Sequence, residues 1–305
     1  MKKSAGRPPK VLNRKKEERK GFLKESQGNI FELIHNNPDM FQYILEASRK
    51  SGNERTFMSI YKSNLVFYFE SNGGNMFAVV DIMGERMVGY YGLERHYSCL
   101  NSEIIGFIKK RKKGFEKITL IISEDKPYDL KIILSPKDES NIYQEWYSTL
   151  LDGREYDISK YNKIYSSRID YPLAFKMEWS SFKEYTNGWK EYTTGPIAFE
   201  KDNNTPLRIG MIDQRKGDIV LSGSEFNIRY KGQGLFASPV PIMLLHTIAA
   251  SDSLSPYLEF FVTEKEGVIF VGKIDELAQE KKMPIENTES ATIKYFYFHP
   301  TETMY

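Results

Sequence analysis

The chain has 305 residues, 40% hydrophobic and 28% charged, which is enough to bury one large core or two ordinary ones. No apolar run approaches the roughly 18 residues of a membrane span. MKKSAGRPPK at the start has no apolar signal-like region, and one cysteine, Cys99, excludes an internal disulfide framework, so an intracellular, reducing setting is expected. The formal net charge of +2 conceals an asymmetry: residues 1–20 hold nine Lys/Arg and two Glu, leaving 34 basic and 39 acidic residues in 21–305. A mildly acidic body with locally concentrated positive charge suits a local basic surface better than a general coat of nucleic acid.

Residues 1–24 are polar, basic and proline-containing, and are expected to form a disordered arm. Within it Gly6-Arg7-Pro8-Pro9-Lys10 is a GRP core with basic flanks. Such a core can lie extended in a narrow A·T minor groove, where Arg7 and Lys10 meet an enhanced negative potential. A solvated tail or a nuclear-localisation signal has the same composition. Residues 30–35 predict a short strand. Asn37 then caps a helix that opens with Pro38 and runs to Lys50, burying Phe41, Ile44, Leu45 and Ser48 and turning Gln42, Tyr43, Glu46 and Lys50 away. Alternating runs over 56–62, 65–70 and 76–83, divided by SN and SNGGN turns, predict three strands, and 97–100 a fourth.

Residues 101–135, NSEIIGFIKKRKKGFEKITLIISEDKPYDLKIILS, carry the clearest pattern. Asn101 and Ser102 are cap-type residues, and Ile104, Ile105, Phe107 and Ile108 share one helical face. A helix over 101–113 would set Lys109, Lys110 and Lys113 on the opposite face. Strands over 117–123 and 128–134 flank an EDKP turn. Two lysines suffice to complement a helix dipole; Lys109, Lys110, Arg111, Lys112 and Lys113 in succession exceed that need, and a nearby polyanion would relieve their repulsion. Nucleic-acid contact is therefore expected here. Residues 142–150 read as a strand, and the charged, tyrosine-rich 151–170 as a connector.

The pattern then repeats. Residues 171–179 predict a strand, and Ser180-Ser181 cap a helix through Tyr192 that buries Phe182, Tyr185, Thr186 and Trp189. Phe182 falls 141 residues after Phe41. A strand over 196–201, several within 205–240, a helix over 242–251, a hairpin built from YLEFFVT and GVIFVGKI, and a last strand over 291–298 follow in the same order. Two similar units, 25–150 and 171–305, joined by a connector over 151–170, account for this economically. Residues 276–290 read as an exposed loop.

Catalytic motifs are absent: there is no Walker A loop, GxGxxG, GxSxG or HExxH. Glu124 and Asp125 read as turn residues, Cys99 as structural and His246 as a packing or surface residue. Histidines 35, 96, 246 and 299 show no metal-ligand spacing, so no cofactor and no metal is expected.

Two copies of strand–helix–strands–helix–strands joined by a long connector resemble the sliding clamps of the proliferating cell nuclear antigen (PCNA) type. YSCLNSEIIGFIKKRKKGFEKITLIISEDKPYDLKIILSP and the closing IKYFYFHPT carry the resemblance best. GRPPK followed by ERKGFL is similar to the arm of clamp-like proteins from African swine fever virus-like large DNA viruses. The resemblance implies an α+β DNA clamp (processivity) fold and a non-enzymatic ring, usually a homotrimer, that encircles double-stranded DNA and tethers a DNA polymerase and other replication and repair proteins, in host cytoplasm or nucleus. It places Lys109, Lys110, Lys113 and Lys50 on the inner face, with Arg49, Arg111 and Lys112 beside them. In the second unit only Lys183 and Lys190 flank the first helix, and the last helix has no cation. Subunit joining is expected between 142–150 and a strand within 218–230. A groove for short hydrophobic motifs is expected at Leu150, Leu151, Ile158, Tyr161, Phe298 and Pro300. A clamp-fold transcription factor that binds DNA without forming a ring is the alternative.

Overall fold

The computed structural model of the chain describes residue 23 and residues 28–71, 76–137, 142–155, 158–211, 218–232, 236–263, 267–275 and 289–298. In the first half, β1 (Asn29–His35) leads into α1 (Pro38–Lys50), followed by β2 (Arg55–Ile60), β3 (Asn64–Glu70), β4 (Met76–Met83), β5 (Gly89–Gly92) and β6 (Arg95–Leu100). Helix α2 (Asn101–Lys109) then precedes β7 (Lys117–Ser123), β8 (Lys126–Ser135) and β9 (Gln144–Thr149). The connector contains β10 (Leu151–Asp152), helix α3 (Ile158–Ser167) and a 3-10 turn (Arg168–Asp170). The second half repeats the first: β11 (Leu173–Glu178), α4 (Trp179–Tyr192), β12 (Pro196–Lys201), β13 (Leu207–Met211), β14 (Ile219–Leu221) and β15 (Arg229–Tyr230). It closes with β16 (Phe236–Pro241), α5 (Ile242–Ala249), β17 (Tyr257–Thr263), β18 (Gly267–Asp275) and β19 (Glu289–Phe298).

Each half builds the same two strand sets. One is five-stranded, β5-β1-β7-β8-β9 in the first half and β15-β11-β17-β18-β19 in the second. The other is four-stranded, β6-β2-β3-β4 and β16-β12-β13-β14. Inside the chain the second half's five-stranded set joins the first half's four-stranded set through antiparallel β19–β4 pairing, from Ala291↔Ile82 to Tyr297↔Met76. With β10 added on β6, this makes a ten-stranded sheet. The remaining sets stand as separate sheets with β9 and β14 at their edges.

Burial explains the strand patterns. β7 and β17 alternate buried with part-exposed residues, as strands with one covered face do. β3 and β4 are buried along almost their whole length because they sit mid-sheet with both faces covered. Leu65, Phe67 and Phe69 of β3 and Met76, Ala78, Val80 and Ile82 of β4 point into the main core beneath the helices. Val66, Tyr68, Phe77 and Val79 point to the opposite face, into a second cluster.

The helices pack in pairs, α1 against α2 and α4 against α5, with α1 also touching α5. α1 starts at Pro38 and ends at Lys50, as its sequence predicts; Gln42, expected outward, is buried and donates to Glu46. Asn101 does not cap α2, which is preceded by Leu100. It is instead a fully buried first helical residue whose amide donates to Asn53 O (3.0 Å) and Ser48 Oγ (3.3 Å) and accepts from Thr56 Oγ1 (2.6 Å). Those bonds tie the end of α1, the start of β2 and the start of α2, and they satisfy an amide that would otherwise be costly to bury. In the second half Trp179 opens α4 rather than ending a strand. Its buried indole N–H donates to Ile248 O of α5 (3.1 Å), and its ring lies on β18 at Gly272. Tyr185, expected in the core, is partly exposed. Cys99 is buried, and burial pushes its thiol up to about 12, which makes it inert.

Gly272 is required by that ring. A Cβ there would lie 2.3 Å from Trp179 Cζ3 and 3.0 Å from Ile293 Cγ2. Gly272→Ala is expected to lower stability by about 1–3 kcal/mol through overpacking, measured by urea denaturation; an unchanged midpoint would show that the ring shifts freely.

Candidate nucleic-acid interface and the connector face

The ten-stranded sheet has two unlike faces. On one, α1 reaches the core through Phe41, whose ring is edge-on to Phe67 at 6.4 Å. The cations expected to meet DNA lie on these helices or just beyond them. α2 ends at Lys109, four residues short of the expected Lys113. The reason is local: Arg111 turns back to donate to Ile108 O (3.1 Å) and to Asp39 Oδ2 (2.7 Å), covering an end carbonyl, and Gly114 takes φ +87° to redirect the chain into β7. Lys109 and Lys110 therefore project from the helix terminus, while Arg111, Lys112 and Lys113 belong to the following loop. The backbone N–H of Lys112 donates to Gln144 Oε1 (2.9 Å), which holds that loop beside β9.

Several of these charges are already balanced. Lys109 pairs with Glu46 at 2.7 Å, Arg111 with Asp39 at 2.7 Å and Lys183 with Asp252 at 2.9 Å. Lys50 donates its ammonium to Ala250 O, bridging the first-half and second-half helices; burial is the main cause holding its pKa below the ordinary lysine value. Arg49, Lys110, Lys112, Lys113 and Lys190 are exposed, with no ion pair among the described residues. α5 carries no Lys or Arg. Its His246 has a pKa held below the ordinary histidine value, chiefly by burial and secondarily by Lys190 and Lys183. The helix face thus presents free cations mainly at the ends of α1 and α2. Arg7 and Lys10 lie outside the described residues.

The opposite face of the sheet is covered by α3. Tyr161 stacks on Phe77 with centroids 3.9 Å apart and 18° between planes, and lies 5.3 Å from Phe296 and 6.3 Å from Phe298. One turn on, Tyr165 lies over Lys294 Nζ at 4.4 Å, and Arg168 stacks on Tyr165 at 3.7 Å. Lys294 is buried, and its pKa is lowered chiefly by that burial. Of the expected groove residues, Tyr161 and Phe298 are brought together. Leu150 is instead in the main core, and Leu151 pairs with Ser98 in β10. Pro300 and the side chain of Ile158 lie outside the described residues. α3 itself was not expected. Tyr161, Ile164, Tyr165 and Arg168 form an i, i+3, i+4, i+7 stripe that would have revealed it.

No protein-family model matches the chain, and no curated protein matches it. Solved structures do. Proliferating cellular nuclear antigen from Entamoeba histolytica superposes with a TM-score of 0.67 at 10% sequence identity, covering 88% of this chain and 98% of that one. The PCNA2–PCNA3 complex from Sulfolobus tokodaii gives 0.65 at 11% identity, with the same coverage of 88% and 98%. The chain has the PCNA-type clamp fold. At such identities the likeness is one of backbone architecture. In this chain the connector helix covers the apolar face it crosses.

Truncating Tyr161→Ala is expected to loosen α3 by about 1–2 kcal/mol, read as roughly five- to thirtyfold faster amide exchange across 158–167 with the global unfolding midpoint nearly unchanged. Unaltered exchange there would mean that other contacts hold the helix.

Proposed function

We propose that the chain is a subunit of a DNA sliding clamp, a non-enzymatic processivity factor that closes into a ring around double-stranded DNA and tethers a polymerase and other replication or repair proteins. One observation carries the reading: the repeated strand sets are fused once, at β19–β4, and their counterparts end in edge strands β9 and β14. A second fusion of the same kind, β9 of one chain with β14 of the next, is a head-to-tail contact that generates a ring when the rotation closes. The exposed side chains fit it: Trp146 and Tyr147 on β9 and Val220 on β14 are large, apolar and solvent-facing, a liability for an edge that stays unpaired. Three chains would bring six units together, as the resemblance to the PCNA type implies.

The helix face would then line the hole. Exposed Arg49, Lys110, Lys112, Lys113 and Lys190, with Lys109 and Lys183 released from solvent-accessible ion pairs of modest strength, supply contacts to phosphate without reading bases. The resemblance of GRPPK and ERKGFL to the arms of large-DNA-virus clamps supports a working site in host cytoplasm or nucleus and an additional role for Arg7 and Lys10 on DNA. Partner motifs are proposed to dock beside Tyr161 and Phe298. The sparse free charge on α4 and α5 favours one second reading, a clamp-fold transcription factor acting as a monomer.

Three measurements test the proposal: sedimentation, polymerase stimulation and the salt dependence of duplex binding. The N–H of Leu150 donates to Tyr128 O of β8, so by strand alternation the N–H of Thr149 points away from β8. Thr149→Pro should therefore convert the ring to monomers in sedimentation while leaving the far-ultraviolet dichroism intact. A wild-type chain that stays strictly monomeric at micromolar concentration and fails to stimulate a polymerase would overturn the clamp and favour the transcription factor. Replacing Lys109, Lys110 and Lys113 with Ala should weaken duplex binding and flatten the salt dependence by roughly one slope unit per lost phosphate contact; an unchanged slope would remove these lysines from the interface.

A further inference from the structure

We infer that Glu94, His96 and Glu155 form a binding site for a divalent transition-metal ion, of the Zn2+ class, that clips the start of the connector to β6. One potential ligand atom from each residue lies within 4.8 Å of the others. The set combines an imidazole with two carboxylates, a donor mixture that suits zinc and its neighbours better than Mg2+ or Ca2+, which take oxygen alone.

The surrounding hydrogen bonds prepare the imidazole for this role. Tyr68 Oη donates to the carbonyl of Arg154, which can only accept. With its one proton committed there, Tyr68 accepts from Ser59 Oγ at 3.1 Å, and Ser59 in turn accepts from His96 Nδ1 at 2.8 Å. Ser59 and Tyr68 are fully buried, so the relay is shielded from water. It assigns the proton to Nδ1 and leaves Nε2 as the ring's lone-pair nitrogen, the tautomer and the outer hydrogen bond typical of a metal-bound histidine. Unlike a surface cluster of acids, the site therefore has one ligand oriented by buried groups outside the cluster.

The same relay sets the second arm. The Arg154 carbonyl that ends it belongs to the residue before Glu155. Gly153 N–H donates to His96 O at 3.0 Å, and a Cβ at Gly153 would come within 2.6 Å of the Tyr97 backbone, so only glycine permits this approach. The connector is thus laid on β6 with Glu155 beside Glu94, two carboxylates whose mutual repulsion a cation would cancel. A tetrahedral zinc at roughly 2.0–2.1 Å from its ligands needs them about 3.4 Å apart. The exposed glutamates close the remaining gap by rotation, and a water completes the shell. The proposal does not depend on ring formation, because every ligand comes from one chain.

The test is calorimetric titration of Zn2+ into the chelator-treated full chain, alongside His96→Gln and Glu155→Gln. One ion per chain at micromolar affinity is expected, with each substitution weakening binding at least tenfold and Mg2+ failing to compete. Zn2+ should also slow amide exchange across 151–155 in the wild type and not in Glu155→Gln, whose exposed position leaves folding untouched. Equal zinc binding by the wild type and both variants, no binding at all, or connector exchange indifferent to zinc would each overturn the inference.

Discussion

The pairing of β19 with β4 is the constraint from which the rest of the molecule follows. Seven register pairs, all antiparallel, merge a five-stranded and a four-stranded set into one sheet. The merger makes the core continuous from Ile30 to Tyr297, so the two halves share apolar interior rather than touching across a polar seam. It also aligns the helix pairs: α1 meets α5, and Lys50 reaches Ala250 O across the boundary. On the far side it juxtaposes Phe77 of β4 with Phe296 of β19, creating an apolar strip that water would penalise if left bare. The connector helix is the cover that this strip requires.

Charge on the helix face is governed by pairing as much as by count. A cluster of five basic residues after Ile108 looks like one surface, yet Arg111 is half-buried against Asp39 and Lys109 sits on Glu46. A pair whose ammonium reaches solvent, as Lys109 does on Glu46, contributes at most about 1 kcal/mol and weakens with salt. The paired lysines can therefore exchange a carboxylate for a phosphate at little cost, whereas Arg111 has a structural duty in ending α2. The uneven distribution between halves remains, because α5 replaces the cationic end of α2 with a nearly neutral helix.

Much of this was legible from sequence, for identifiable reasons. Pro38 at a helix start, the apolar spacing of Phe41, Ile44 and Leu45, and the offset between Phe41 and Phe182 are local signals, and each led to the observed element and its repeat. The end of α2 was not legible, because a run of lysine and arginine has good helix propensity and the turn depends on Asp39, 72 residues from Arg111. Four-residue β5 was too short to stand out. Helix α3 was missed because its stripe, Tyr161, Ile164, Tyr165 and Arg168, is mostly tyrosine and arginine, so the segment read as a polar connector although the helical spacing was present. Unbroken burial along LVFYF and MFAVV was the available clue that both faces of that sheet are covered. The Glu94–His96–Glu155 cluster had no signal at all: a loop glutamate meets a strand histidine only after the connector is laid down.

The connector therefore has two attachments of different character. At its start, Gly153 and Arg154 are fixed to β6 and Tyr68 by hydrogen bonds through backbone groups, which tolerate little displacement. Further on, α3 is held by ring stacking, with Tyr161 on Phe77 and Tyr165 between Lys294 and Arg168. Aromatic pairs contribute about 0.5–1.5 kcal/mol beyond the area they bury, and they can be replaced by other aromatics of similar shape. A hydrophobic motif docking on this face would compete with Tyr161 for Phe77, and its apparent affinity would be its intrinsic affinity multiplied by the fraction of chains whose helix is already displaced. Displacement would stop at Arg154, because the polar attachment is not exchangeable for an apolar side chain. The two ends thus differ in what could replace them: the fixed end needs a matching polar group, whereas the stacked end needs only an aromatic of similar shape.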